Sequence, residues 1–74
     1  MMEYKHEIVK HICVIGEPHS QGWTKELNLV SWNDGPAKYE IRDWSPDHTR
    51  CGRGTNFTED ELRSLGEQLQ ALFK

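Results

Sequence analysis

Turn-forming residues divide the chain into four strand-like segments and a tail with a different pattern. Glycine, proline, asparagine and aspartate concentrate at 16–22, 33–36 and 45–48, and such clusters interrupt regular secondary structure. The intervening segments are rich in β-branched and aromatic residues, which favour strands. These segments are 4–15, 23–32, 37–44 and 50–57. The sequence therefore predicts four β-strands before the tail.

The third segment alternates between apolar and polar side chains. Tyr39 and Ile41 share one face of a strand, because successive side chains in a strand point to opposite sides. The opposite face carries Lys38, Glu40, Arg42 and Trp44. The first segment is apolar on both faces, which predicts a strand that is buried on both sides.

The tail has the pattern of an amphipathic helix. Thr58 is followed three residues later by Glu61, which is typical of a capping box. Leucines then repeat at a spacing of three and four residues: Leu62, Leu65, Leu69 and Leu72. The predicted fold is α+β, with a four-stranded antiparallel sheet followed by one helix (ββββα).

The leucine seam has two interpretations. Its spacing is that of two helices packing on each other, but most amphipathic helices pack on their own domain. A chain of 74 residues forms one domain, 1–74, and buries too little surface for generous stability. We therefore expect a homodimer whose interface includes Leu62, Leu65, Leu69 and Leu72.

Composition limits the cellular setting. No apolar run approaches the roughly 20 residues that span a bilayer, and the first residues lack the pattern of a secretory signal. We expect a cytoplasmic protein without a membrane partner. The formal net charge is −3, but residues 21–57 hold five basic and five acidic residues. A locally basic face in this middle region remains compatible with the composition.

The cysteines and histidines are weak candidates for a metal site. His11 and Cys13 would share a strand face, and His48 and Cys51 would have to meet them across the sheet. These spacings are atypical of structural zinc sites. We predict no metal, no other cofactor and two buried or half-buried thiols. Asp43, Ser45, Asp47 and His48 cluster around the third turn. The Ser-Pro-Asp-His segment is better explained as a turn than as catalytic machinery, so we predict no enzymatic activity.

Aromatic and cationic residues on one strand face suggest a ligand. Lys38, Arg42 and Trp44 alternate on that face, where cations could contact phosphates and bases could stack on an indole. Glu40 on the same face needs a cationic partner, which Lys38 or Arg42 could supply. Farther along, Arg53 lies between Gly52 and Gly54, and glycines allow close approach of a backbone to phosphate.

Several of these segments resemble the transcriptional positive cofactor four family, and its small bacterial members most closely. The similarity covers residues 22 to about 65. It is carried by the segments Gly22-Trp23-Thr24-Lys25-Glu26-Leu27-Asn28, Val30-Ser31-Trp32-Asn33, Lys38-Tyr39-Glu40-Ile41-Arg42-Asp43-Trp44, Ser45-Pro46-Asp47-His48, Gly52-Arg53-Gly54 and Thr58-Glu59-Asp60-Glu61-Leu62. The acidic net charge and the absence of a serine-rich lead segment depart from the eukaryotic members.

The resemblance implies a curved sheet, a dimer paired through its helices, and binding of single-stranded DNA with little sequence preference. RNA remains an alternative ligand, and transcription or genome maintenance is the implied setting. The residues matching the family's binding positions are Lys25, Trp32, Lys38, Arg42, Trp44 and Arg53. A competing hypothesis is a protein-interaction module that docks partners through an exposed tryptophan patch.

Overall fold

The computed structural model describes residues 5–74 and shows an α+β fold of four antiparallel strands followed by one helix. The elements are β1 (His6–Ile15), β2 (Thr24–Trp32), β3 (Lys38–Trp44), β4 (Cys51–Phe57) and α1 (Glu59–Leu72), with a 3-10 turn at Ser20–Gly22. The strands lie in the sheet in sequence order. The predicted order of elements is confirmed, while Tyr4, the start of the first predicted segment, lies outside the described residues.

Two of the predicted turns have a clear physical basis. Between β2 and β3, Asn33 and Asp34 both have positive φ angles, 51° and 61°, which short amide and carboxylate side chains tolerate. Between β3 and β4, the Asp47 carboxylate accepts hydrogen bonds from Ser45 and Thr49. These bonds, above all the one from the Thr49 backbone, lower the pKa of Asp47 to about 2.

The sheet buries one face, which we call the inner face and define by Glu26, Asn28, Val30, Glu40 and Trp44. Tyr39 and Ile41 lie on the opposite, outer face, as the alternation predicts. Only Val30 and Trp44 among the described residues are fully buried and apolar. The core of this domain is therefore small and unusually polar.

Trp44 is the centre of that core and has no solvent exposure. Its ring lies 4.8 Å from the ring of His6, 5.6 Å from that of His48 and 6.2 Å from that of Trp32, measured between centroids. The indoles of Trp32 and Trp44 are nearly parallel, with 10° between their planes. Aromatic packing of this kind adds to the stabilisation from burial.

The prediction that β1 is buried on both sides is wrong. β1 is an edge strand whose main contacts are with β2. Its apolar side chains remain between 39% and 51% exposed at Val9, Ile12, Val14 and Ile15. Two register shifts, after Ile8 and after His11, interrupt its alternation, so apolar residues on both faces do not indicate two covering layers here.

Helix α1 begins with the predicted capping box. Thr58 accepts a hydrogen bond from the Glu61 amide, and the Glu61 carboxylate accepts one from the Thr58 amide. The helix contacts the sheet mainly at β4 and buries none of its residues fully. Leu62 and Leu65 are half-buried, whereas Leu69 is 43% and Leu72 is 70% exposed. The second half of the leucine seam is thus not covered by its own sheet.

Within residues 5–74, the structure contains no helix with the length and apolarity that a membrane span requires.

Replacing Trp44 should unfold much of the protein. Trp44→Ala removes a fully buried indole, and such truncations cost about 3–5 kcal/mol, which is a large share of the stability of a small domain. Urea unfolding should show this loss, with a smaller loss for Trp44→Phe, which retains a ring. A Trp44→Ala variant as stable as the parent would contradict the burial described here.

Candidate functional site

A groove opens on the inner face, where β2 ends and β4 begins. It has a volume of about 660 Å³. Its lining consists of Trp32, Asn33, Arg42, Cys51, Gly52, Arg53 and Asn56. We call it the Trp32–Arg53 groove. It brings together three of the six residues predicted from the sequence, namely Trp32, Arg42 and Arg53.

The floor of the groove is a buried ion pair. Arg42 donates from Nε to Glu40 Oε1 at 2.8 Å and from Nη2 to Glu40 Oε2 at 3.0 Å. Its Nη1 donates to the Gly52 carbonyl at 2.7 Å. Hydrogen bonding to Glu40 outweighs burial and raises the pKa of Arg42. The prediction that Glu40 needs a cation two positions away is confirmed, and Arg42 supplies it.

Trp32 is held against this ion pair. Its indole Nε1 donates to Glu40 Oε2 at 3.0 Å, and the Arg42 guanidinium carbon lies 4.9 Å from the ring centroid. A cation over an aromatic face is attracted to the ring quadrupole. These two contacts fix the orientation of the ring. Because Trp32 is only half-buried, it still reaches solvent.

Gly54 makes room for the ion pair. It lies opposite Arg42 in the β3–β4 register, and a Cβ at this position would come within 2.7 Å of the guanidinium. Close packing against the Arg42 guanidinium therefore explains why Gly54, the second glycine of Gly52-Arg53-Gly54, has no side chain. Arg53 itself is exposed, next to the register shift between β3 and β4.

The structure separates the remaining predicted residues. Trp44 is fully buried, so the prediction that its ring is accessible for stacking is wrong. Lys25 pairs across the sheet with Asp43 and Ile15, which places it on the outer face, away from the groove. Lys38 is exposed on the inner face and lines a smaller pocket together with Asn56, so it adjoins the groove without lining it.

The position of Trp23, which the sequence left open, is outside β2. The strand begins at Thr24, and the Trp23 ring lies 5.6 Å from the guanidinium carbon of Arg50. Trp32 is on the inner face because it lies two positions after the buried Val30 in β2; it pairs with His6 at the end of the strand. The two tryptophans thus lie in different parts of the molecule: Trp23 packs near Arg50 before β2 begins, and Trp32 contacts Glu40 on the inner face.

A second polar cluster surrounds Glu26, which is 3% exposed. Its carboxylate accepts hydrogen bonds from Thr24 Oγ1 at 2.6 Å and Asn28 Nδ2 at 3.0 Å, and His48 Nε2 lies 2.9 Å away. Burial acts to raise the pKa of Glu26, but these hydrogen bonds and the charge of His48 outweigh it and lower the pKa. Thr24, Glu26 and Asn28 alternate along β2, but His48 comes from the β3–β4 turn, 22 residues from Glu26, and sequence reasoning missed the cluster because it did not bring these segments together.

The predicted absence of a metal site was argued partly from a wrong geometry. His11 pairs with Asn28, and Cys13 pairs with Leu27, so the register shift between them puts their side chains on opposite faces. Among residues 5–74, no group of three or more histidine, cysteine or acidic side chains is arranged to hold a metal ion. Cys13 is exposed rather than buried, because it lies on the edge strand, and Cys51 is half-buried.

Comparison with known proteins identifies a relative without assigning a role. No family model matches the sequence. A protein of Treponema pallidum (strain Nichols), described as an uncharacterized protein, is 43% identical over 51 residues. The match covers 69% of this chain and 60% of the relative, so the chain spans less than two thirds of that relative's length.

Gly54→Ala should destabilise the protein, because the added methyl group displaces a guanidinium that Glu40 needs. Breaking a buried ion pair costs about 3–5 kcal/mol, an upper limit here because the arginine side chain can partly adjust. Gly66→Ala is the matched control: a Cβ there meets nothing within 4 Å, and alanine in a helix gains about 0.5–1 kcal/mol over glycine. Thermal unfolding should move the two variants in opposite directions; an unchanged Gly54→Ala would contradict the packing argument.

Glu26 should contribute a pH-dependent part of the stability. Its folded-state pKa lies below the ordinary value of 4.5, so its contribution is present above about pH 4.5 and is lost as pH falls through the folded-state pKa. Glu26→Gln should lower the free energy of unfolding at neutral pH. The variant should also lose less of its free energy of unfolding than the parent does when the pH falls from 7 to 3. Denaturation from pH 7 to pH 3 measures both effects, with Glu67→Gln as an exposed control. Parallel curves for parent and Glu26→Gln would contradict the assignment.

Proposed function

We propose that this protein binds single-stranded nucleic acid in the Trp32–Arg53 groove, with single-stranded DNA as the first candidate and RNA as the alternative. The observation that carries the proposal is a half-buried indole, fixed by Glu40 and Arg42, beside the exposed cation of Arg53. Nucleic-acid single strands present a base to stack and a phosphate to neutralise at each step. Both needs are met within one groove.

The two parts of the groove have different roles. A base stacked on Trp32 contributes about 1–3 kcal/mol with little dependence on base identity. Arg53 contacts phosphate, and the flanking glycines leave the adjacent backbone uncrowded. Arg42 acts as a positioning residue, because its three donor nitrogens are already engaged with Glu40 and Gly52. Lys38, beyond Asn56, extends the basic path along the inner face.

The resemblance to the positive cofactor four family supports the same proposal, with one change. The stacking ring is Trp32, since Trp44 belongs to the core. The family's curved sheet also suits this chain: the inner face buries Val30 and Trp44 although the helix contacts mainly β4. A sheet has to bend around its own side chains to bury them in this way, and bulges favour such bending.

A homodimer completes the proposal. The outer face carries the half-buried Leu27, Leu29 and Ile41, and the helix exposes Leu69 and Leu72. A small domain with this much uncovered apolar surface gains stability by burying it against another copy. Leu62, Leu65, Leu69 and Leu72 form the proposed helical part of the interface. The setting we propose is cytoplasmic, in transcription or genome maintenance, without catalysis.

The exposed apolar helix favours one alternative, a protein-interaction module. Phe73 is 80% and Leu72 is 70% exposed, which would suit a partner protein as well as a second copy. Salt dependence separates the two functions. Phosphate binding weakens steadily as salt rises, whereas an apolar contact is nearly insensitive to salt.

Arg53→Ala should weaken binding to oligo-dT and reduce its salt dependence. Removing one phosphate contact lowers the slope of log affinity against log salt by about 0.7 on a single strand. Arg63→Ala is the matched control, because Arg63 is exposed on α1 and pairs with Glu59 there. Tryptophan fluorescence quenching measures both quantities, since stacking quenches the indole.

Equal affinity and equal salt slope for parent and Arg53→Ala would contradict the groove assignment. An equal loss for Arg63→Ala would show that overall charge, rather than the groove, governs binding. Duplex DNA should bind more weakly than oligo-dT, because its bases are stacked on each other.

The assembly is tested by sedimentation at micromolar concentration. The parent should sediment as a dimer of 8.7 kDa chains. Leu69→Asp should give monomer or unfolded protein, because a buried charge without a partner costs several kcal/mol. Leu72→Asp, at the more exposed end, should have a smaller effect. A monomeric parent would overturn the dimer.

A further inference from the structure

Three of the four histidines of the chain lie on the inner face of the sheet. The His6 ring packs on the indole of Trp32, with 5.5 Å between the ring centroids. The other two flank Glu26: His48 Nε2 lies 2.9 Å from one carboxylate oxygen, and His11 Nδ1 lies 3.5 Å from the other. Histidine is the side chain whose charge changes between about pH 5 and 8. The charge of this face therefore depends on pH.

Hydrogen bonds determine which nitrogen of each flanking histidine takes up the proton. The Oδ1 of Asn28 can only accept, so His11 Nδ1, 2.7 Å away, donates to it. His48 Nε2 donates in the same way to the carboxylate of Glu26, whose pKa lies below 4.5. The proton therefore adds to Nε2 of His11 and to Nδ1 of His48. Because these side chains are 50% and 39% exposed, it arrives from solvent without opening the core.

The Glu26 cluster, defined by His11, Glu26 and His48, changes the sign of its charge on protonation. With neutral rings it carries the single negative charge of Glu26, and with two imidazoliums it is positive. Among residues 5–74, Glu26 is the one acid that forms an ion pair with either ring. The other carboxylates near this face have their own partners, which are Arg42 for Glu40 and the Ser45 and Thr49 donors for Asp47. Helix α1 contacts mainly β4.

The Glu26 cluster adjoins the Trp32–Arg53 groove on the same face. Glu26 lies opposite Arg42 in the β2–β3 register, and Arg42 lines the groove. Facing residues of neighbouring strands have Cβ atoms about 5 Å apart, which is less than the Debye length of about 8 Å at physiological salt. A phosphate held in the groove therefore experiences the charge of the cluster, together with that of the exposed cations Lys38 and Arg53.

We propose that protonation of His11 and His48 strengthens the binding of single-stranded nucleic acid, so that the inner face holds a strand more tightly in mild acid. An imidazolium attracts phosphate, whereas the unprotonated cluster repels it. Linkage makes the effect reciprocal: a bound strand favours the protonated rings, so binding takes up protons. The inference rests on the proposed function and adds regulation by pH to the same site.

The test is calorimetric titration of the parent with oligo-dT at about pH 7.5 and about pH 5.5, the two sides of the histidine range. Neither thymine nor the phosphodiester titrates in this interval, so any change arises in the protein. The parent should bind about fivefold more tightly at the lower pH, roughly the effect of two partly exposed charges. Repeating the titration in buffers of different ionisation enthalpy counts the protons taken up.

The double variant His11→Gln, His48→Asn should lose at least half of the pH effect and of the proton uptake. Asparagine is chosen at position 48 because it tolerates the positive φ of 60° there. His19→Gln is the matched control and should behave as the parent, since His19 pairs with Asp43, away from the inner face. Circular dichroism at both pH values confirms folding. If the double variant does not fold, His11→Gln alone, on the exposed edge strand, should still reduce the uptake.

The outcomes distinguish the two proposals. Binding of oligo-dT by the parent with equal affinity at both pH values and no proton uptake overturns the role of the histidines and leaves the groove standing. An undiminished pH effect in the folded double variant, or an equal loss in His19→Gln, overturns the assignment to the Glu26 cluster. Failure of the parent to bind oligo-dT at either pH overturns the groove and its regulation together.

Discussion

The buried ion pair between Glu40 and Arg42 is the constraint on which the rest of the inner face depends. Period two places both side chains on one face, two positions apart, and Glu40 is only 1% exposed. Burying a carboxylate is unfavourable unless its oxygens are satisfied, and here Arg42 and Trp32 supply three donors. The same contacts fix the Trp32 ring, while the size of the guanidinium explains the glycine at position 54.

This arrangement also reduces the effect of the acidic net charge on the electrostatic potential at the surface. Two carboxylates, Glu26 and Glu40, lie inside the molecule and have partners there. They add little to the potential that an approaching strand encounters. Arg53 and Lys38 are exposed and keep their full effect on phosphates. A formal charge of −3 is thus compatible with a locally basic groove, which is what nucleic-acid binding requires.

Local signals made the element order predictable. Turn residues such as Asn33 and Asp34, the capping box at Thr58 and Glu61, and the alternation at Tyr39 and Ile41 all act over a few residues. The site was predictable only in part. The packing of Trp32 and Trp44 involves the ring of His6, which contacts both indoles from β1 and is distant from them in sequence. Lys25 matched the family motif, yet register with Asp43 and Ile15 placed it on the outer face.

The central claim is that nucleic acid binds at Trp32 and Arg53, and not at the exposed leucines of α1. The most direct test is an NMR titration of the parent protein with oligo-dT, following the indole N–H signals of the tryptophans. The account predicts that the Trp32 signal and the Arg53 amide shift in proportion to binding, while the Leu69 and Leu72 amides stay in place. Binding that shifts the leucine amides and leaves Trp32 and Arg53 unchanged would contradict it.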